Sequence, residues 1–302
     1  MSHRPLTHRY VVLCLALLLT GAMANAEDSP LSVYVVNYPL KYFAERIGGA
    51  HVNVMLPVPA DVDPVYWTPG IADIGAYQRA DLILLNGAGY AKWVRNVSLP
   101  RAKTVDTSRA FKDQYITVKE TMTHSHGGKG EHAHEGLAFT TWMDLSLAVK
   151  QAEAIVEALV RKRPQQKDLF RANYRLLEND LLALDSRIKS IVSPNNTVPI
   201  IFSHPVYEYF EKAYGLNGKS VHWEPDQKPS SAQIAELNRI LEMHPARWMV
   251  WEGDPGVAAV EKLNAMGVQS AVFDPCGNVP AEGDFLSVMQ QNVMNLEAVF
   301  RE

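Results

Sequence analysis

Four histidines fall within eleven residues, at His124, His126, His132 and His134, in a stretch otherwise built of Gly, Ser, Thr, Lys, Ala and Glu. Neutral imidazole nitrogen is a borderline ligand suited to Zn²⁺, Cu²⁺ and Ni²⁺. Gly127, Gly128, Gly130 and Gly136 keep the segment flexible, and it has too few apolar side chains to pack a core. Residues 122–136 therefore read as a His-rich loop that collects metal, or as a solvated loop of unusual composition. Elsewhere, His204 and Asp274 each follow an apolar β-branched or aromatic run and precede a proline, which places both at strand ends. Sheet-end loops are where open α/β folds bind ligands, and imidazole plus carboxylate are proper zinc donors. Glu252 closes Trp248-Met-Val-Trp251 and adds a third donor, or a carboxylate that orients His204. His222 sits in the same half, and its ordinary reading is packing. His51 reads as structural or solvated, and His244 before Pro245 as a helix C-terminal cap.

These candidates need elements to hold them. Residues 31–37, 52–56 and 82–85 read as strands and 39–47 and 71–79 as helices, with Val105-Asp106 ending a further strand. Apolar positions then recur at helical spacing from Met143 to Val192, broken by Pro164. The second of these helices spans about 25 residues, roughly 38 Å at 1.5 Å per residue, long enough to tie two lobes together. The second half repeats the alternation. Strands are expected at 198–202, 220–223, 248–251 and 271–273, and helices at 206–214, 231–243, 256–266 and 285–300. The expected fold class is α/β: two α/β lobes, each with a parallel-rich sheet, joined by one long linker helix. The expected organisation is a leader over 1–26, an N-terminal lobe over 27–165, the linker helix over 166–192 and a C-terminal lobe over 193–302.

The first residues carry a basic start (Arg4, Arg9), an apolar run from Val11 to Leu19 and a small-x-small site at Ala24-Asn25-Ala26. These are the parts of a cleaved secretory signal peptide, implying a periplasmic protein with no transmembrane segment in the mature chain. Cys14 does not adjoin the small residues, which argues against a lipid-anchored cysteine. Removing 1–26 leaves Cys276 as the one cysteine, so no intramolecular disulfide can form. The net charge is −4 with no basic stripe, which excludes nucleic acid as a partner. The phosphate loop, the Gly-x-Ser-x-Gly elbow and the His-Glu-x-x-His zinc helix are all missing, so the chain reads as a binder and not an enzyme.

Several segments together resemble the periplasmic substrate-binding proteins of zinc and manganese ABC transporters, the zinc-uptake type in particular. They are Asp63-Pro-Val-Tyr-Trp-Thr-Pro69, Ala80-Asp-Leu82 with Asn86-Gly87, Trp142-Met-Asp144, Arg171-Ala-Asn-Tyr174, Ser203-His-Pro205 with Tyr209-Phe210 and Tyr214-Gly-Leu216, and Phe273-Asp-Pro275 with Asp284-Phe-Leu286 and Asn292. The resemblance covers nearly the whole chain after the leader. It implies a rigid two-lobe fold, one metal ion in the cleft, an inner-membrane ABC permease as partner and a monomer. Zinc is the implied cargo, with Mn²⁺ or another divalent transition metal as the other choice; the His-rich loop favours zinc because Mn²⁺ prefers oxygen donors.

Two departures stand out. The family places a His directly after the Asp-Pro of the first loop, where this chain has Val65, and another two residues before the Trp of the second, where it has Thr140. Val cannot ligate, and Thr ligates zinc poorly. The flexible loop could bring His132 or His134 into their place, in which case deleting 124–134 should abolish tight binding. Tyr66, Trp67, Trp142, Tyr207, Trp223 and Trp251 fall on or near the presumed cleft loops. They read as packing, or as walls for a chelated metal or a small organic ligand. A periplasmic metal buffer that docks to no permease is the third alternative.

Overall fold

The computed structural model describes residues 29–118, 123–125, 131–133 and 136–301. The leader, His126 and His134 lie outside the described residues.

In the first half, β1 (Leu31–Val35) leads through α1 (Tyr38–Gly48) to β2 (Val52–Met55), and α2 (Ile71–Arg79) connects to β3 (Leu82–Leu85) and then β4 (Thr104–Asp106). All pairs are parallel, in the order β2-β1-β3-β4. β3 is apolar and almost wholly buried, as a covered parallel strand requires, whereas β1 alternates buried with half-buried residues. Asn37 starts α1 by accepting the Leu40 N–H through its side chain, ahead of Pro39, which fits a first turn because it lacks an N–H to leave unpaired.

Short strands β5 (Thr117–Val118), β6 (Thr123–Ser125), β7 (Glu131–Ala133) and β8 (Gly136–Leu137) follow. β5 pairs with β8 and β6 with β7, both antiparallel. In the described part of the His-rich segment, the backbone of residues 123–125 and 131–133 pairs as a short antiparallel ladder. Backbone pairing needs no apolar side chains, which is why composition did not show it. His124 stands directly opposite His132 in the register.

α3 (Leu145–Lys162) and α4 (Lys167–Val192) flank Pro164 as expected. Asp144 caps α3 by accepting from the Ser146 and Leu147 N–H groups. α4 packs against α1 and α3 on one side and against later helices on the other. In the second half, β9 (Pro199–Phe202), α5 (Glu208–Tyr214), β10 (Asn217–Ser220), α6 (Ser231–Met243), β11 (Trp248–Trp251), α7 (Val257–Ala265), β12 (Gln269–Val272) and α8 (Phe285–Phe300) alternate. The sheet order is β10-β9-β11-β12, again all parallel. The fold is therefore the expected pair of α/β lobes with a long helix between them.

One expectation is corrected. The strand predicted at 220–223 is β10 at 217–220. Val221 and Trp223 are extended and buried beyond the strand end, and their N–H groups bond to the Phe202 and Ser203 carbonyls. Their apolar character reflects burial in the cluster under α6 and α7, which includes Ile201, Leu237 and Trp251, and not ladder membership. The main core runs from β1 and α1 through α3 and α4 to Phe202, Phe273 and α8 without a break.

Candidate metal centre

Each strand of the second sheet delivers one polar side chain from its C-terminal end. Glu224 follows β10, His204 follows β9, Glu252 follows β11 and Asp274 follows β12. β9 and β11 are adjacent, but their onward connections diverge to opposite edges of the sheet, and that reversal opens a crevice for ligands. The backbone fixes the donors there. Ser203 N–H donates to the Val250 carbonyl, Trp223 N–H to the Ser203 carbonyl and Gly256 N–H to the Pro225 carbonyl. Three of the four donors precede a proline (Pro205, Pro225, Pro275), which holds the residue before it extended and ends the strand cleanly.

His204 is buried, and its Nδ1 lies 3.7 Å from Glu224 Oε1 and 3.8 Å from Glu252 Oε1. One ligand atom from each of His204, Glu224 and Glu252 can be chosen so that all lie within 4.8 Å of one another, a spacing that a single ion can bridge. Asp274 lines the same cleft, as does Asp63 from the first half. Asp274 is clasped by Asn292 of α8, which accepts from its N–H at 2.9 Å and donates to its carbonyl at 2.7 Å. One of its carboxylate oxygens accepts from Cys276 N–H at 2.6 Å, leaving the other for a cation.

The acid groups crowd one another out of water. Burial, then the charges of Glu224, Asp63 and Asp274, push Glu252 up to about 8. Burial also raises Asp274. Opposite, Lys92 places Nζ 4.5 Å over the Tyr66 ring, and burial lowers its pKa.

Of the sequence candidates, His204 and Glu252 come together and Asp274 shares their cleft. Glu224 is the member that sequence reading missed. Its signal was available: Glu224-Pro225 repeats the pattern of His204-Pro205 and Asp274-Pro275. His124 and His132 are placed only as backbone partners, and His126 and His134 lie outside the described residues. His222 packs its ring edge-to-face on His204 at 5.5 Å. His244 ends α6, and its Nε2 meets the Ile200 carbonyl at 3.0 Å; His51 packs on Phe170. Tyr66, Trp67 and Trp142 line the cleft, whereas Tyr207, Trp223 and Trp251 are core packing. Val65 and Thr140 both line the cleft, and Thr140 Oγ1 donates to the Val206 carbonyl at 2.6 Å.

The sequence profile of a family described as zinc-uptake complex component A, periplasmic, matches residues 33–299. The chain belongs to this family. It is 25% identical to the zinc-binding lipoprotein AdcA of Streptococcus pneumoniae over 94% of this chain and 59% of that protein, so it spans about three-fifths of that relative. It is also 25% identical to the high-affinity zinc uptake system protein ZnuA of Bacillus subtilis, over 91% of this chain and 89% of that protein. Among solved structures, the Zn(II)-bound ZnuA-like domain of S. pneumoniae AdcA superposes with a TM-score of 0.77 at 21% identity, covering 90% of this chain and 100% of that one. The metal-dependent lipoprotein YcdH of B. subtilis gives a TM-score of 0.76 at 22% identity, over 89% and 99%. The zinc-uptake component family thus has the two-lobe architecture found here.

Proposed function

We propose that this protein captures zinc in the periplasm and hands it to an inner-membrane ABC permease. The observation that carries the reading is the convergence of His204, Glu224 and Glu252 at the crevice of the second sheet, with Asp274 beside them. Family membership and zinc-binding relatives support zinc as the cargo, and the imidazole favours zinc over Mn²⁺. Within this reading the chain acts as a binder and not a catalyst, and works as a monomer. Among the described residues no helix is long and apolar enough to cross a membrane. The organisation proposed is a leader over 1–26, lobes over 27–165 and 193–302, and the α4 region as the linker.

The test is calorimetric titration of the metal-stripped protein with Zn²⁺ across pH. With Glu252 raised to about 8, the metal-free site holds a proton at neutral pH. The cation must displace it, so binding releases a proton and affinity rises with pH, by about tenfold per unit for one proton between roughly pH 6 and 8, then levels off. One site per chain with that slope supports the reading. A flat profile with no proton released would remove Glu252 from the site.

The His-rich segment is assigned a collecting role. Pairing of β5 with β8 closes its base beside Phe139 and Thr140, which line the cleft. Because Glu224 supplies a third donor inside the cleft, deletion of residues 122–136 is expected to remove weaker additional zinc sites and to leave the tight site within about threefold. Loss of the tight site on deletion would instead make a loop histidine a ligand.

A further inference from the structure

We propose that the cleft takes its metal as a complex with a small amino-carboxylate chelator, which fills the coordination positions facing the first half of the chain. This rests on the metal-binding reading above and names the form of its cargo. The three clustered donors and Asp274 all come from the second sheet. Three or four donors on one side leave open the positions a tetrahedral or larger shell presents to the opposite wall.

Among the described residues that wall is poor in ligands. Val65 is buried there and has no donor atom. Thr140 commits its hydroxyl proton to the Val206 carbonyl. Asp61 and Asp63 are the wall's carboxylates lining the cleft among the described residues; both are exposed, and one Asp63 oxygen already accepts from the Val65 N–H at 2.9 Å.

The wall is instead built to hold something larger than an ion. The cleft is an open crevice of 1640 Å³. A water takes about 30 Å³, and pockets for small organic ligands run to about 300–1,000 Å³. Tyr66 and Trp67 present half-buried rings to it, backed by buried ones: Trp67 packs edge-to-face on Trp93 at 6.2 Å, and Tyr90 on Trp142 at 5.6 Å. Trp142 is anchored further by its indole N–H, which donates to the Pro275 carbonyl at 2.7 Å. Rigid aromatic faces with one cation are suited to a small organic anion. Lys92 is that cation, lining the cleft across from the acid cluster. An amino-carboxylate would present nitrogen and one oxygen to the metal and a carboxylate oxygen to Lys92.

L-Histidine is a suitable probe because it carries amine, imidazole and carboxylate donors in one small molecule. Zinc titrations of the metal-stripped protein with and without L-histidine, followed by native mass spectrometry, would test the proposal. The expected result is a one-to-one-to-one species of protein, zinc and histidine, with zinc held at least tenfold tighter than in histidine's absence. Lys92→Gln should lose that enhancement while keeping its affinity for bare zinc. Thr140→His should bind bare zinc tightly and no longer respond to histidine. Tight binding of bare zinc by the unaltered protein, with no ternary species and no response to histidine, would overturn the chelate inference and leave the zinc reading standing. Failure to bind zinc in either form would overturn both.

Discussion

Replacing His204 with alanine is expected to weaken zinc binding by at least about 100-fold, about 2.7 kcal/mol. Its imidazole is the sole nitrogen donor in the cluster identified among the described residues, and its Nδ1 lies within 4 Å of both Glu224 and Glu252. Without it the site is made of carboxylates, a set that suits Mn²⁺ better than zinc. The zinc-to-manganese preference should therefore fall along with the zinc affinity. Glu224→Gln should weaken zinc as well and, by removing a charge that raises Glu252, should move the pH dependence of binding to lower pH. His51→Ala is the matched control, since that ring packs against Phe170 and is not among the residues lining the cleft. Competition against a chromophoric chelator gives the affinities. The metal-dependent rise in melting temperature gives an independent reading, because a ligand stabilises a fold in proportion to the logarithm of its occupancy ratio. A His204→Ala protein that binds zinc like its parent would take the metal out of this crevice.

How much of this site was legible in the sequence follows from what each signal depends on. Strands such as Leu82–Leu85 and Trp248–Trp251 and helices such as Ser231–Met243 were readable to the residue, because a buried parallel strand is a short apolar run and a capped helix begins at a Ser or Asp. His204 and Asp274 were readable because a polar residue between an apolar run and a proline marks a strand end. Glu224 shares the proline that follows but carried only half of that signal, since β10, Asn217-Gly-Lys-Ser220, is polar and has no apolar run of its own. The residues that looked like its strand, Val221 to Trp223, lie past its end. The β6–β7 pairing escaped for a related reason: it rests on backbone bonds, which leave no trace in hydropathy. His244-Pro245 has the ligand-like pattern and yet serves packing, so the pattern locates strand and helix ends and the tertiary fold decides which of them meet.

The two sheets show that decision directly. Their strand orders are equivalent, and each has a reversal point at the C-terminal ends of its two central strands. In the first sheet those positions carry Asn37 and Asn86. Asn37 Nδ2 donates to Asn86 Oδ1 at 3.2 Å, Gln151 Nε2 donates to the same oxygen at 3.1 Å, and Asn86 Nδ2 donates to the Phe139 carbonyl at 2.8 Å. A hydrogen-bonded cluster of neutral amides fills that crevice and ties its loops together, with Gln151 Oε1 left as a buried oxygen that accepts no hydrogen bond. In the second sheet, the same geometry carries an imidazole beside carboxylates that repel one another, a set of charges that a cation would offset. The difference between the amide-filled crevice and the candidate metal centre lies in side-chain chemistry and not in topology.

The same conflict between burial and charge should set the pH dependence of stability away from the metal centre. Glu211 on α5 is turned under β10, where Gly218 leaves room: a Cβ on that glycine would lie 2.9 Å from Glu211 Oε2 and 2.4 Å from the Phe202 ring. Burial raises Glu211 to about 7, and Lys219 offsets this only in part. Because the folded protein holds this proton more tightly than the unfolded chain does, the group's contribution to stability is complete below about pH 4.5 and is lost as pH rises through about 7. Glu211→Gln keeps the shape and removes the titration. The variant should match its parent near pH 4.5 and be more stable by about 2–3 kcal/mol at pH 8, a rise in melting temperature of roughly 5–10 °C. Urea unfolding of both metal-free proteins at the two pH values measures the difference, and the contribution of Glu252 cancels because both proteins carry it. An advantage of equal size at both pH values would mean that the substitution acts through packing. A pH-dependent advantage would show that α5 holds an only partly compensated carboxylate in a lobe whose candidate metal crevice already concentrates negative charge.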